Sequence, residues 1–95
     1  MALNGKVFLI SDDGVPEQWR NPLQKQYPSA SMYVFKNGEA SKNFDTLQDI
    51  LKAMQKAHVS RKDSVIALGG GVVGDMAGFA SAIYMRGIPY INIPA

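Results

Sequence analysis

A run of three glycines, set between an apolar strand and a helix of small residues, constrains this chain most. Val65–Leu68 is a short apolar run, Gly69-Gly70-Gly71 follows directly, and a helix is predicted over Val73–Tyr84. Gly74, Ala77, Gly78 and Ala80 let that helix lie close against a sheet. Glycines permit φ > 0 and close backbone approach to a ligand, and helix-start amides point at an anion with the positive end of the helix dipole behind them. The same residues equally suit a tight turn beneath a closely packed helix. Gly69, Gly71 and Gly74 satisfy G-x-G-x-x-G between a strand and a helix, the context a dinucleotide fingerprint requires. That fingerprint also places an acid about twenty residues further on, and here nothing after Asp75 is acidic. An ordinary dehydrogenase fingerprint is therefore excluded.

The rest of the chain alternates strand and helix signals. Val7–Ile10 reads as a buried strand ending at Ser11-Asp12-Asp13-Gly14, and a helix from Pro16 to Gln26 follows, with Trp19, Leu23 and Tyr27 four apart. Met32–Phe35 is a second strand, and Lys36–Lys42 is a polar loop. Leu47, Ile50, Leu51 and Met54 form an amphipathic helical stripe, with Ser41 or Asn43 as its cap. Tyr90–Ile93 supplies a fourth strand. The order β-α-β-α-β-α-β predicts an α/β fold, a Rossmann-like parallel sheet with helices on both faces. Its strand-to-helix loops then gather at the carboxyl edge of the sheet, where open α/β sheets bind ligands.

Composition narrows the functional classes. The 95 residues amount to one small domain, and 46% hydrophobic with 19% charged residues argues for a folded chain. Ten Lys and Arg against eight Asp and Glu are spread without a stripe, which argues against nucleic acid as a partner. With no cysteine, disulfides and thiolate metal sites are excluded. No run is long enough for a membrane span and the start lacks a secretion signal, so a cytoplasmic protein is expected.

Several side chains carry two readings. Asp12 and Asp13 suit a ribose, or the turn chemistry of Asp-Asp-Gly. Lys42 could reach a phosphate or a base edge, or decorate a solvated helix start. Arg86 could bind an anion or complement the end of the third helix. His58, the single histidine, falls in the last turn of the second helix and lacks partners for a metal site. Trp19, Tyr33, Phe79, Tyr84 and Tyr90 are expected to pack in the core or on the surface.

Ala67-Leu68-Gly69-Gly70-Gly71-Val72-Val73-Gly74-Asp75, followed by Gly78-Phe79-Ala80 and Tyr84-Met85-Arg86-Gly87-Ile88, closely resembles the nucleotide-binding segment of the 3-dehydroquinate synthase family. Gly38-Glu39-Ala40-Ser41-Lys42, after a strand ending in Asp12, matches the same family in order and spacing. The resemblance covers nearly the whole chain. It implies an N-terminal domain that binds NAD, with a helical C-terminal domain bringing a divalent metal, zinc or cobalt. The cleft between them takes a seven-carbon sugar-acid phosphate, DAHP. It further implies a lyase of the shikimate route to chorismate and the aromatic amino acids. A hydroxyl is oxidised, phosphate is eliminated, the ketone is reduced back, and the ring opens and closes as a carbocycle.

Carried onto this sequence, the resemblance gives Asp12 to the adenosine ribose and Glu39 and Lys42 to the lining of the nucleotide site. Gly70, Gly71 and Val72 would cradle the pyrophosphate, Asp75 would hold the nicotinamide-side ribose, and Arg86 would bind the substrate phosphate across a dimer interface. Gly14 departs from the family, which has asparagine there. The family's continuation of the last strand, its metal ligands and its helical domain are not among these 95 residues, nor is a leading strand pair before residue 5. The expectation is a partial NAD-binding domain, 1–95, of a homodimeric enzyme, inactive alone and prone to self-association. The alternatives are a stand-alone nucleotide-binding module and a truncated product without function.

Overall fold

In a computed structural model, residues 5–94 are described; the expectations for the chain start and for Ala95 lie outside them. β1 (Val7–Asp12) and β3 (Ser64–Gly69) are buried along their whole length. Such unbroken apolar runs are what a central parallel strand, covered on both faces, requires. β2 (Ser31–Phe35) and β4 (Tyr90–Pro94) are the edges and are partly exposed. The sheet is parallel throughout, in the order β2-β1-β3-β4.

Winding reverses after β2. The connection from β1 runs to β2 on one side, and the next returns past β1 to β3 on the other. Right-handed crossovers then place helices on opposite faces. α1 (Glu17–Gln26) covers Val7, Leu9 and Ile66 through Leu23 and Tyr27. α2 (Phe44–Lys56) and α3 (Gly71–Ile83) cover Phe8, Ile10, Phe35, Val65 and Ala67 on the other face. The alternation Val7, Leu9 against Phe8, Ile10 is the period-2 pleat made visible.

α2 holds the larger core in place. Ile50 and Met54 are fully buried, so truncating either to alanine costs about 2–5 kcal/mol. Asn43, not Ser41, caps it, accepting the Thr46 amide at 2.8 Å. Its other end is a Schellman motif: the amide of Val59 donates to Met54 O and that of His58 to Gln55 O, both at 3.0 Å. His58 therefore lies just past the helix and not in its last turn, in the left-handed region at φ 57°. The Lys6 ammonium donates to the free Ala57 and His58 carbonyls at 3.4 and 3.1 Å.

Before β3, Asp63 accepts amides from Lys6 at 2.8 Å and Ser60 at 2.7 Å. Burial opposes its ionisation, but these amides, the Ser60 hydroxyl and the Lys6 charge outweigh it and hold the carboxyl below its ordinary value.

Candidate functional site at the sheet switch point

The reversal of winding opens a crevice between the carboxyl ends of β1 and β3, the place where ligands lodge in open α/β sheets. A buried hydrogen bond from the Ser11 hydroxyl to Leu68 O, 2.8 Å, ties the two strand ends together beneath it. The crevice has a volume of about 290 Å³ and brings Asp12, Gly14 and Asn37 opposite Gly70, Gly71 and Val72.

The glycines fall into two kinds. A Cβ on Gly69 would lie 2.6 Å from Val73 Cγ2, and one on Gly74 would lie 2.9 Å from Asn92 Nδ2. These two are small because the protein itself crowds them. At Gly70 and Gly71 a Cβ would meet nothing within 4 Å. Neither has a positive φ; the one glycine of the run that does is Gly69, at 157°. Both line the crevice, and a methyl at either would meet no protein atom.

Gly71 opens α3, with Gly70 as a cap residue that has no side chain to offer and no acid in the first turn. The first amide with an intrahelical partner is that of Gly74, which donates to Gly70 O at 3.1 Å. The amides of Gly71, Val72 and Val73 are the orphan donors of the helix start. This helix start, with its N–H groups and dipole, has no side-chain cap and no acid in its first turn, and its residues Gly71 and Val72 line the crevice.

Asp12 is 6% exposed at the end of β1. One carboxylate oxygen accepts the Gly14 amide at 3.0 Å, which is the expected turn chemistry. The other takes no part in the hydrogen bonds among the described residues, so both readings of Asp12 can hold at once.

Lys42 and Asp75, 33 positions apart, meet at 2.9 Å between Nζ and Oδ2. The hydrogen bond to Asp75, with its charge, raises the Lys42 pKa. Both side chains are exposed, so the pair contributes little to stability. Glu39 lies in a short 3₁₀ turn, Glu39–Ser41, one turn before Lys42 and exposed. Beside this pair an apolar groove of about 350 Å³ runs between α2 and α3, with Phe44 and Phe79 exposed along it.

Arg86 stands apart. It follows α3, whose 13 residues at about 1.5 Å each put it roughly 20 Å from the glycine turn, at the amino edge of the sheet. Met85 and Arg86 both have positive φ, 47° and 69°, and Gly87 follows at 110°. The fold brings Asp12, Gly70, Gly71 and Val72 together, joins Lys42 to Asp75, and leaves Arg86 on a different edge.

Sequence reasoning missed Asn37 and Trp19. Asn37 was hidden inside a polar loop by the turn signal Asn37-Gly38. Trp19 is 59% exposed and reaches the crevice from α1. Tyr84, by contrast, packs on the core and donates to Val59 O at 2.7 Å. Among the described residues no three His, Cys, Asp or Glu side chains come together.

An open parallel sheet with helices on both faces and a glycine-rich strand-to-helix turn at its switch point defines a Rossmann-like α/β domain. Residues 32–95 match the family described as 3-dehydroquinate synthase N-terminal, and the chain belongs to that family. Curated 3-dehydroquinate synthases from Clostridium tetani and Clostridium acetobutylicum are 43% and 45% identical over 93 residues, covering 96% and 94% of this chain. The chain spans only about a quarter of their length, 25% and 26%.

Solved sugar-phosphate cyclases share the fold. A 2-deoxy-scyllo-inosose synthase matches with TM-score 0.90 at 26% identity, over 96% of this chain and 27% of its own. The complex of 2-deoxy-scyllo-inosose synthase with carbaglucose-6-phosphate, NAD+ and Co2+ matches at 0.88 and 27% identity, over 94% and 26%. A 2-epi-5-epi-valiolone synthase from Streptomyces hygroscopicus, with NAD+ and Zn2+ bound, matches at 0.80 and 28% identity, over 97% and 27%.

Proposed function

We propose that this chain is the NAD-holding part of a 3-dehydroquinate synthase, the lyase that converts DAHP to 3-dehydroquinate and phosphate in cytoplasmic aromatic amino-acid biosynthesis. One observation carries the reading. Gly70 and Gly71 leave open the space a Cβ would fill, at a helix start with no cap and no acid, beside the free oxygen of Asp12. Family membership and two neighbours with NAD+ bound support the same assignment.

Each residue then has a task. The amides of Gly71 and Val72, with Gly70 kept small, hold the pyrophosphate by charge-assisted hydrogen bonds. Asp12 accepts from the adenosine ribose, Asp75 from the ribose on the nicotinamide side, and Lys42 orients Asp75 while adding positive charge near the phosphates. Glu39 lines the approach. When bound there, NAD would supply a hydride acceptor and donor for the substrate. Oxidation of a hydroxyl acidifies the neighbouring carbon, which makes phosphate elimination possible.

Arg86, held on the far edge, binds the substrate phosphate of a second copy across a homodimer interface. The divalent metal comes from outside these elements, and no step at it is assigned to them. The 95 residues alone therefore carry no turnover. Calorimetric titration should find NAD binding by the chain, weakened in Asp75→Ala, and an assay with NAD, zinc and DAHP should find no dehydroquinate. Absence of binding heat would overturn the NAD assignment, and dehydroquinate formed by the pure chain would overturn the division of labour.

A further inference from the structure

We infer that the outer face of α2 and α3 is a self-complementary surface on which a second copy of this chain docks antiparallel, related by a two-fold axis. Both helices run from the carboxyl edge of the sheet to its amino edge. Three large apolar side chains lie exposed along them: Phe44 at 87%, Phe79 at 48% and Ile83 at 57%. Phe44 opens α2; Phe79 stands about 12 Å along α3, and Ile83, its last residue, about 18 Å along. The line spans the domain from edge to edge, with the groove of Leu47 and Met76 beside its carboxyl half.

Charge marks the two ends of that line. At the carboxyl end Glu39, Asp45 and Asp75 are exposed, and Lys42 beside them is committed to Asp75. At the amino end Lys56, Arg61, Lys62 and Arg86 are exposed. Hydrogen bonds gather these segments: the Lys6 ammonium donates to His58 O at 3.1 Å, and the Tyr84 hydroxyl to Val59 O at 2.7 Å. Asp63, the acid of this region, is buried and occupied by the amides of Lys6 and Ser60. Lys56 and Arg86 complement helix ends, but Arg61 and Lys62 lie on the loop before β3 and add charge that no helix end requires.

Two such faces repel when laid parallel, acid on acid and base on base. Laid antiparallel, each acidic end meets a basic one, Phe44 meets the partner's Ile83, and Phe79 packs near the axis against its own counterpart. A contact of this isologous kind closes as a pair. It also sets Arg86 at the carboxyl edge of the other copy, where its proposed ligand sits; that part alone rests on the reading above.

Sedimentation of the 95-residue chain over a concentration series, without nucleotide, tests the surface. A monomer–dimer equilibrium is expected, weakening as salt screens the charged ends. Phe79→Asp and Ile83→Asp, both at exposed positions, should leave the melting temperature of the dilute monomer unchanged and each weaken the dimer about tenfold or more. Because the chain has no cysteine, orientation is read by mild oxidation: Phe44→Cys mixed with Ile83→Cys should give the mixed disulfide in excess of either self-pairing. A chain that stays monomeric, a dimer that both Asp variants retain, or self-pairing that matches mixed pairing overturns the inference. None of these measurements involves NAD, so the nucleotide assignment stands or falls by its own titration.

Discussion

Gly71→Ala should separate folding from binding. A methyl at position 71 meets no protein atom within 4 Å, and the backbone there is not in the left-handed region. Replacing glycine by alanine at a compatible site stabilises by about 0.4–1 kcal/mol, largely by restricting the unfolded chain. For a domain of this size that raises Tm by about 2–8 °C. The same methyl stands about 1.5 Å into the crevice at the orphan amides. A phosphate pushed off one charge-assisted hydrogen bond loses about 1.5–3 kcal/mol, or about 10- to 150-fold in affinity. Thermal melting and NAD calorimetry on the same sample measure both. Gly69→Ala is the contrast: its methyl would press on Val73 at 2.6 Å and should lower stability by about 1–3 kcal/mol. Undiminished NAD affinity in Gly71→Ala, or a lower Tm than the parent, would refute the claim that this glycine is small for a ligand's sake.

Three other outcomes are expected. His58→Gly relieves a left-handed residue at the end of α2 and should stabilise the chain by about 1 kcal/mol, read as a higher melting temperature. Asp63→Asn removes a carboxylate held below its ordinary pKa of 3.8, and should cost about 2 kcal/mol near neutral pH. Because that pKa is depressed, the stabilisation is present above about pH 4 and is lost as pH falls through the lowered value, so the melting curves of parent and variant should converge in acid. Asp75→Asn should scarcely move Tm, should lower the Lys42 pKa toward the ordinary lysine value in an NMR titration, and should weaken NAD.

How much of this was legible in sequence depends on what each residue answers to. β1 and β3 were plain because strands covered on both faces must be apolar throughout, and α2 because its stripe meets a single core. His58 was expected in the last turn of α2, which ends at Lys56, because the Schellman turn there is set by tertiary packing of Met54 and Val59, not by a glycine signal. The glycine run announced a tight approach, but the division into glycines crowded from within and glycines open to the crevice needs the positions of Val73 and Asn92. Asp75 could be assigned a partner only by spatial proximity, since Lys42 lies a whole strand and helix away. Asn37 lay unremarked in the polar loop Lys36–Lys42, because its place on the crevice follows from the pairing of β1 with β2. Arg86 carried two readings in the sequence, an anion site or a complement to the end of α3, and its separation from the crevice follows from the length of α3.

The central claim is that the β1–β3 switch point holds the dinucleotide. Amide chemical shifts of the chain, followed by NMR during an NAD titration, test it residue by residue. Saturable shifts are expected at Asp12–Gly14, Asn37, Lys42 and Gly70–Asp75, with His58 and Arg86 unmoved. A spectrum that NAD leaves unchanged, or one that responds at the amino edge of the sheet and not at the glycine turn, would contradict it.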